Sequence, residues 1–486
     1  MPSQAKKITL DTAALFTAKL ISLALSVVRL KYIAVYLGVE TFGIYTFALY
    51  FVAMFGILFD LGLAQIMTRD IAANHSGTRH YVFNTFLLKS ILFLGTAVII
   101  AFATAVSHFD TTTNMAVVFS IFITGMNSLT LVFTSAFQAH RRMKLVSVIT
   151  VATDLTTSIA VIALLVMGFG LFGMLAGSAA ASLTVFITAV VIYRKSVGKL
   201  RSNPDRHLLG YLVKEGYPVA LSSLGMTLYL YVSSSMLKYI DGNVSAGYYN
   251  AAFKIIIILT VIPTSFIPAV YPFYAELYRA ERTKLRNVLE TSVRYMFVIS
   301  IPLCIGTIIV AKELITTLYT PEFLPAVLPL QILIVSTLFS YANYVFYSFF
   351  PAVNLQRFNM YVTIPTGLAV AATNYFLIPK FGTLVPSISL ALVEIVLFTS
   401  AFLYLRYMNM ALNLRKMFEK PLLACIPMVG AIYLLSPYSV FIRVGAAIVT
   451  YLAAFYLFKG FLAEDKGILE NVLPAPIRGI LIRRIC

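Results

Sequence analysis

Apolar residues fill this chain in long runs, and polar residues gather in short gaps between them. A helix needs roughly 20 apolar residues to cross a hydrocarbon core of about 30 Å. No water reaches that core, so a crossing segment is a helix or a strand of a closed barrel. These runs are too long for barrel strands. The pattern predicts spans near residues 9–37, 42–66, 82–106, 114–137, 145–167, 173–193, 216–239, 248–272, 291–311, 327–350, 359–378, 384–405, 421–436 and 440–460. The run 421–436 is short for a full crossing. The expected class is an all-α integral membrane protein with about 14 transmembrane helices.

Charge then orients the spans. Basic residues crowd alternate gaps: Lys6 and Lys7; Arg69, Arg79 and Lys89; Arg141, Arg142 and Lys144; then a dense load from Arg194 to Lys214. The same set continues with Arg282, Lys284, Arg286 and Arg294, with Arg357, with Arg415, Lys416 and Lys420, and with the tail. The opposite gaps keep little beyond Lys312, Lys380 and Arg443. By the positive-inside rule the basic set faces the cytoplasm, which places both termini there and the protein in the cytoplasmic (inner) membrane.

Composition removes other classes. Only 12% of the 486 residues are charged, against about 25% in soluble domains. The net charge of +18 is dispersed over short loops, which points to anionic lipid headgroups and away from nucleic acid. Cys304, Cys425 and Cys486 have no metal or disulfide spacing. Met1 to Lys7 leads into a run that continues as a span, so no cleavable leader is expected. Tryptophan is absent, leaving tyrosine for the interfacial belt. No nucleophile–base pair or phosphate-cradling loop appears, so no enzyme is expected.

A weak repeat gives the domain organisation. Glu40-Thr-Phe-Gly-Ile-Tyr45 and Val244-Ser-Ala-Gly-Tyr-Tyr249 each place tyrosine two residues after glycine, at the outer start of a span. Equivalent corners in two parallel six-helix repeats would divide the chain into an N-lobe at 1–193 and a C-lobe at 216–405. A cytoplasmic linker spans 194–215, two added spans occupy 406–460, and a basic amphipathic tail fills 461–486.

A few cations sit inside the runs: Lys19, Arg29, Lys31, Lys238 and Lys254. A charge at bilayer depth costs at least about 2.5–3.5 kcal/mol, so it usually faces a wet cavity or a partner. At 100° per residue, Thr12, Lys19, Ser22, Ser26 and Arg29 share one face of the first span. Ser223, Thr227, Tyr231, Ser234 and Lys238 share a face of the seventh, Asn250 and Lys254 of the eighth, and Thr46, Tyr50 and Asp60 of the second. One cationic, hydroxyl-rich cavity is the economical reading, with Arg69 at its inner mouth, and its natural cargo is an anion. Plainer readings stand beside it. Lys31 and Lys238 can snorkel to the headgroups. Arg69 can anchor the interface or pair with Asp70. Asp60 is either a counter-ion or a coupling site for H+ or Na+, and no other cofactor is expected. Asp154 and Glu394 read as acids with local partners. Pro263, Pro268 and Pro272 crowd the eighth span, where each removes a backbone bond and bends the helix.

Several stretches carry a family resemblance. Leu37-Gly-Val-Glu-Thr-Phe-Gly-Ile-Tyr45, Phe59-Asp-Leu-Gly-Leu-Ala-Gln65, Thr68-Arg-Asp-Ile-Ala72, Ala246-Gly-Tyr-Tyr-Asn-Ala-Ala-Phe-Lys254, Leu318-Tyr-Thr-Pro-Glu-Phe323 and Asn374-Tyr-Phe-Leu-Ile-Pro-Lys-Phe-Gly382 occur in order. Together they resemble Wzx-type oligosaccharide flippases, the polysaccharide branch of the multidrug/oligosaccharidyl-lipid/polysaccharide (MOP) exporter superfamily. The resemblance implies two six-helix lobes in a V and alternating access. It implies a polyprenyl-diphosphate-linked oligosaccharide as cargo, with membrane lipids and polysaccharide polymerase machinery as partners. By similar placement it maps a basic cavity onto Lys19, Arg29, Lys238 and Lys254. The rivals are a cation-coupled multidrug antiporter, a peptidoglycan-precursor flippase and a non-transporting assembly scaffold.

Overall fold

The computed structural model describes residues 2–74, 77–200 and 203–460. The basic tail at 461–486 lies outside the described residues, as does the side chain of Thr12. Every regular element among the described residues is helical. They are α1 (Pro2–Met54), α2 (Gly56–Asp60), α3 (Leu63–Ala73), α4 (Thr78–Val106), α5 (Thr111–Ala139), α6 (Met143–Val166), α7 (Gly170–Ser196) and α8 (Arg206–Leu259). There follow α9 (Val261–Ala280), α10 (Arg282–Leu318), α11 (Val327–Ala352), α12 (Gln356–Phe381), α13 (Leu384–Tyr407), α14 (Leu414–Leu434) and α15 (Val440–Leu457).

Among the described residues, twelve helices are long and apolar enough to cross a membrane. Two of them reach far beyond one crossing, at 53 residues for α1 and 54 for α8. Each is interrupted by one glycine, Gly38 (φ 68°, ψ 176°) in α1 and Gly242 (φ 90°, ψ −178°) in α8. That backbone region is open essentially to glycine alone. Each long helix is therefore two stretches joined at a kink, which accounts for the sequence showing more apolar runs than there are spanning helices. Large side chains such as Val98, Phe102, Ile426, Phe441 and Val449 stay exposed along these helices. In water such surface would be untenable; here it meets acyl chains, and the protein is a multi-pass integral membrane protein.

Four expectations need correcting. The run 42–66 is not one helix: α1 stops at Met54, and Leu61 (φ 48°) and Gly62 (φ 73°) separate α2 from α3. The break is where α8 comes close, with Val219 against Gly62 and the Leu61 carbonyl against Gly216. The second half of the expected linker is helical. Asp205 caps α8 by accepting hydrogen bonds from the Leu208 and His207 amides (3.2 and 2.9 Å), and Leu208 and Leu212 pack with Leu63, Ile66 and Leu88. The run 248–272 divides at Thr260, between α8 and α9. Pro263 has no N–H to offer the carbonyl four residues earlier, so the helix breaks there. The short run 421–436 belongs to a longer helix, since the 21-residue α14 begins before it and takes in Lys416 and Lys420.

By packing, the chain forms two compact units. The first contains Met1–Val261, Ile315–Pro329 and Gln356–Val393; the second contains Ile262–Leu314, Leu330–Leu355 and the chain from Glu394 onward. These units group helices by contact and so divide the chain differently from the repeat-based lobes. In the first unit Met67, Ile71, Phe133, Phe137 and Tyr193 form a buried core across α3, α5 and α7. In the second, the rings of Phe297, Phe339 and Phe346 surround Phe398.

The first unit also explains the repeated sequence corners. Gly43 lies against the backbone of Asn243 and Gly247, and Gly247 lies against the backbone of Val39. Just beyond, Asn250 Nδ2 donates to Thr46 Oγ1 at 2.9 Å, joining residues 204 apart in the chain. The same interval separates Gly38 from Gly242 and Gly43 from Gly247. Equivalent residues thus meet each other at one close crossing of α1 and α8.

Candidate functional site

The intramembrane cations are distributed over the first unit, and their partners sort them. Arg29 of α1 reaches α6. Its Nη2 lies 3.7 Å from Asp154 Oδ1, and its Nη1 donates to Ser158 Oγ at 3.1 Å. The lone acid of the fifth run therefore has a cationic partner. Lys254 lies close enough to Arg29 to feel its charge. It is half-buried, and among the described residues it makes no hydrogen bond or ion pair. Lys19 is half-buried on the same helix as Arg29.

The other predicted cations are placed elsewhere. Lys31 is exposed. Arg69 is exposed and binds Asp70 at 2.8 Å, Glu215 at 3.2 Å and the Tyr211 hydroxyl at 2.9 Å, tying α3 to the start of α8. Lys238 is 8% exposed. It donates to Thr113 Oγ1, stands 3.9 Å from Asp110 Oδ1, and lies over the Phe47 ring at 4.4 Å. Asp110 caps α5 through the Thr113 amide. Burial works against its carboxylate, but the bonds from Thr113 and the charge of Lys238 prevail and hold its pKa below the usual range.

The polar stripes differ in the same way. Ser26, Ser223 and Thr227 bond to carbonyls of their own helices, at 2.8, 3.1 and 3.0 Å. Tyr50 stacks on Tyr231 with ring centroids 5.5 Å apart. Ser22 Oγ, the Tyr50 hydroxyl, Ser234 Oγ and Asn250 Oδ1 are buried and have no hydrogen-bond partner among the described residues. Each such atom costs about 1–3 kcal/mol of desolvation. Four positions read from helical periodicity as cavity lining are thus buried polar groups that the protein itself does not satisfy.

Sequence reasoning missed Lys89. Counted with the inner-gap cations, it is wholly buried in α4, 2.5 Å from Asp60 Oδ1, and donates to the Ser128 carbonyl at 3.0 Å. The signal was present, since Lys89 lies inside an apolar run. Asp60 therefore has a structural counter-ion. Lys89→Met should cost about 3–5 kcal/mol by leaving the carboxylate unpaired. The Asp60→Asn, Lys89→Met pair should recover much of it. Thermal unfolding in detergent micelles measures both, and a double variant as unstable as the single one would contradict the pairing. In the second unit Glu394, the other lone acid, accepts from Asn343 Nδ2 at 2.7 Å.

The helical fold is similar to that of solved membrane transporters, some of them described as members of the MOP superfamily. Similar structures include the lipid II flippase MurJ in an inward closed conformation, with a TM-score of 0.75 at 15% identity over 93% of this chain and 99% of that one. An inward-facing multidrug resistance MATE family transporter gives 0.63 at 14% identity over 82% of this chain and 98% of that one. A MOP superfamily transporter from Pyrococcus furiosus, described by the reverse polarity of its binding pocket, gives 0.60 at 14% over 82% and 96%. No curated protein sequence matches the chain. The MatE family pattern matches residues 218–376. The pattern of the polysaccharide biosynthesis protein family matches residues 8–278, more than half of the chain, and the chain belongs to that family.

Proposed function

We propose that the protein is a flippase that carries a polyprenyl-diphosphate-linked oligosaccharide from the cytoplasmic to the outer leaflet by alternating access. The observation that carries this reading is Lys254, a half-buried cation without a carboxylate partner among the described residues and beside a second cation, Arg29. Asp154 balances Arg29, which leaves the charge of Lys254 uncompensated. A diphosphate supplies the missing anion. The unsatisfied atoms of Ser22, Tyr50, Ser234 and Asn250 suit sugar hydroxyls. Lys19 extends the positive stripe toward the inner end of α1, and the prenyl tail stays in lipid.

The family and the likeness to the fold of a lipid II flippase support a lipid-linked cargo. An excess of cations disfavours the cationic drugs that a multidrug antiporter would carry. The lobes at 1–193 and 216–405, the cytoplasmic termini and the inner-membrane location complete the proposal. Under it, Arg69 and Lys238 are structural, as their partners imply.

The test is flipping of a fluorescent polyprenyl-diphosphate glycan in proteoliposomes by alanine variants of Lys19, Arg29, Lys238 and Lys254. Loss of transport by correctly inserted Lys254→Ala is expected. Wild-type rates for all four would end the proposal.

A further inference from the structure

A cavity of about 200 Å³ lies in the second unit between the N-terminal part of α10 and the start of α14. Arg286, Glu290 and Arg294 line it from one face of α10, with Asn287 and Thr291 beside them. A spacing of four residues places such side chains one above another on a helix. Asn413 and Lys416 line it from α14. Asn413 caps that 21-residue helix, accepting from the Lys416 amide. A helix N-terminus carries about half a positive charge. Three cations face one carboxylate, so the lining is net positive.

Two of the cations are held differently. Arg294 is 4% exposed; its Nη1 donates to the Gly460 carbonyl at 3.3 Å and its guanidinium lies over the Tyr295 ring at 5.3 Å. Arg286 has a buried Nε with no hydrogen-bond partner, and it makes no ion pair among the described residues. Leaving a charged donor unpaired costs more than the usual 1–3 kcal/mol or so for a buried polar group. A planar guanidinium fork matches phosphate oxygens, and the lysine adds a point charge.

We propose that this cavity binds a phosphate group, presented by an anionic phospholipid headgroup or by a soluble phosphate. The ligand would bridge α10 to α14 and so tie the last helical hairpin to α10 within the second unit. The site is distinct from the polar stripes of α1 and α8 and independent of the flippase reading. By the positive-inside rule its basic residues lie at the cytoplasmic face, where basic pockets between helices take anionic headgroups.

The experiment uses the full chain in detergent micelles. Native mass spectrometry and thermal shift compare phosphatidylglycerol, phosphatidylcholine and inorganic phosphate as probes. The proteins are wild type, R286Q/K416Q and the charge-keeping R286K/K416R, each first shown to elute as a single folded species. Saturable retention of phosphatidylglycerol over phosphatidylcholine, lost at least about tenfold in R286Q/K416Q and kept in R286K/K416R, identifies a lipid headgroup site; tenfold corresponds to about 1.4 kcal/mol. The same pattern with inorganic phosphate identifies a soluble ligand. Binding that is absent for both probes, or equal in wild type and R286Q/K416Q, overturns the proposal.

Discussion

Replacement of Gly43 or Gly247 by valine should leave little folded protein. At Gly43 a β-carbon would meet the Asn243 carbonyl and the Gly247 amide; at Gly247 it would meet the Val39 carbonyl. These neighbours are backbone, so no side chain can turn aside, and the two helices themselves must part. Parting them also pulls Asn250 away from Thr46, whose 2.9 Å bond lies just past the crossing. Overpacking typically costs about 1–3 kcal/mol where neighbours can yield; here backbone stands against the β-carbon itself, so alanine should already reach or exceed the top of that range and valine go further. The measure is the monodisperse fraction after mild detergent extraction, with its thermal midpoint. Gly95 of α4 is the control, because nothing lies within 4 Å of its would-be β-carbon. Alanine there should be neutral or stabilising by up to about 1 kcal/mol, the usual helix preference over glycine. Valine variants of Gly43 and Gly247 that extract and melt like wild type would remove the crossing from the account.

The apolar runs made the helical membrane class legible because each run answers to one solvent, the acyl chains. The joints between runs were harder to read. A hydrophobic window records whether a residue is apolar, not its backbone dihedral, so Gly38 and Gly242 fell in the gaps between runs although each is the kink within a long helix. The glycine–tyrosine repeat was visible, but its cause was not, since Gly43 and Gly247 matter through each other. The charged residues show the same limit. Periodicity gives the face of one helix and says nothing of which neighbour stands there. It put Lys238 on the stripe of Ser234, whereas Thr113, Asp110, Phe47 and Phe109 from elsewhere in the fold enclose it. The positive-inside rule likewise sorted Arg286, Arg294 and Lys416 as topological signals, although they converge on one cavity.

Lys254→Met should slow translocation about ten- to a hundredfold while making the empty protein more resistant to heat. The two effects have one origin. A half-buried ammonium with no carboxylate among its described neighbours, and with Arg29 nearby, raises the energy of the resting protein. Under the proposed function, an anionic cargo would recover that energy when it binds. A hydrogen bond to a charged group is worth about 1.5–3 kcal/mol, and each 1.36 kcal/mol or so is tenfold in rate. The neighbouring cations should behave differently because their partners do. Arg29→Met leaves Asp154 unpaired, so transport and stability should fall together. Lys238→Met strips Asp110 and Thr113 of a buried partner, so stability should fall first and transport only with it. Lys254→Arg keeps the charge and should retain part of the activity. Flipping in proteoliposomes and melting in micelles, measured on the same preparations, separate the three patterns. A Lys254→Met protein that flips at the wild-type rate would show that this cation serves the fold and not the cargo.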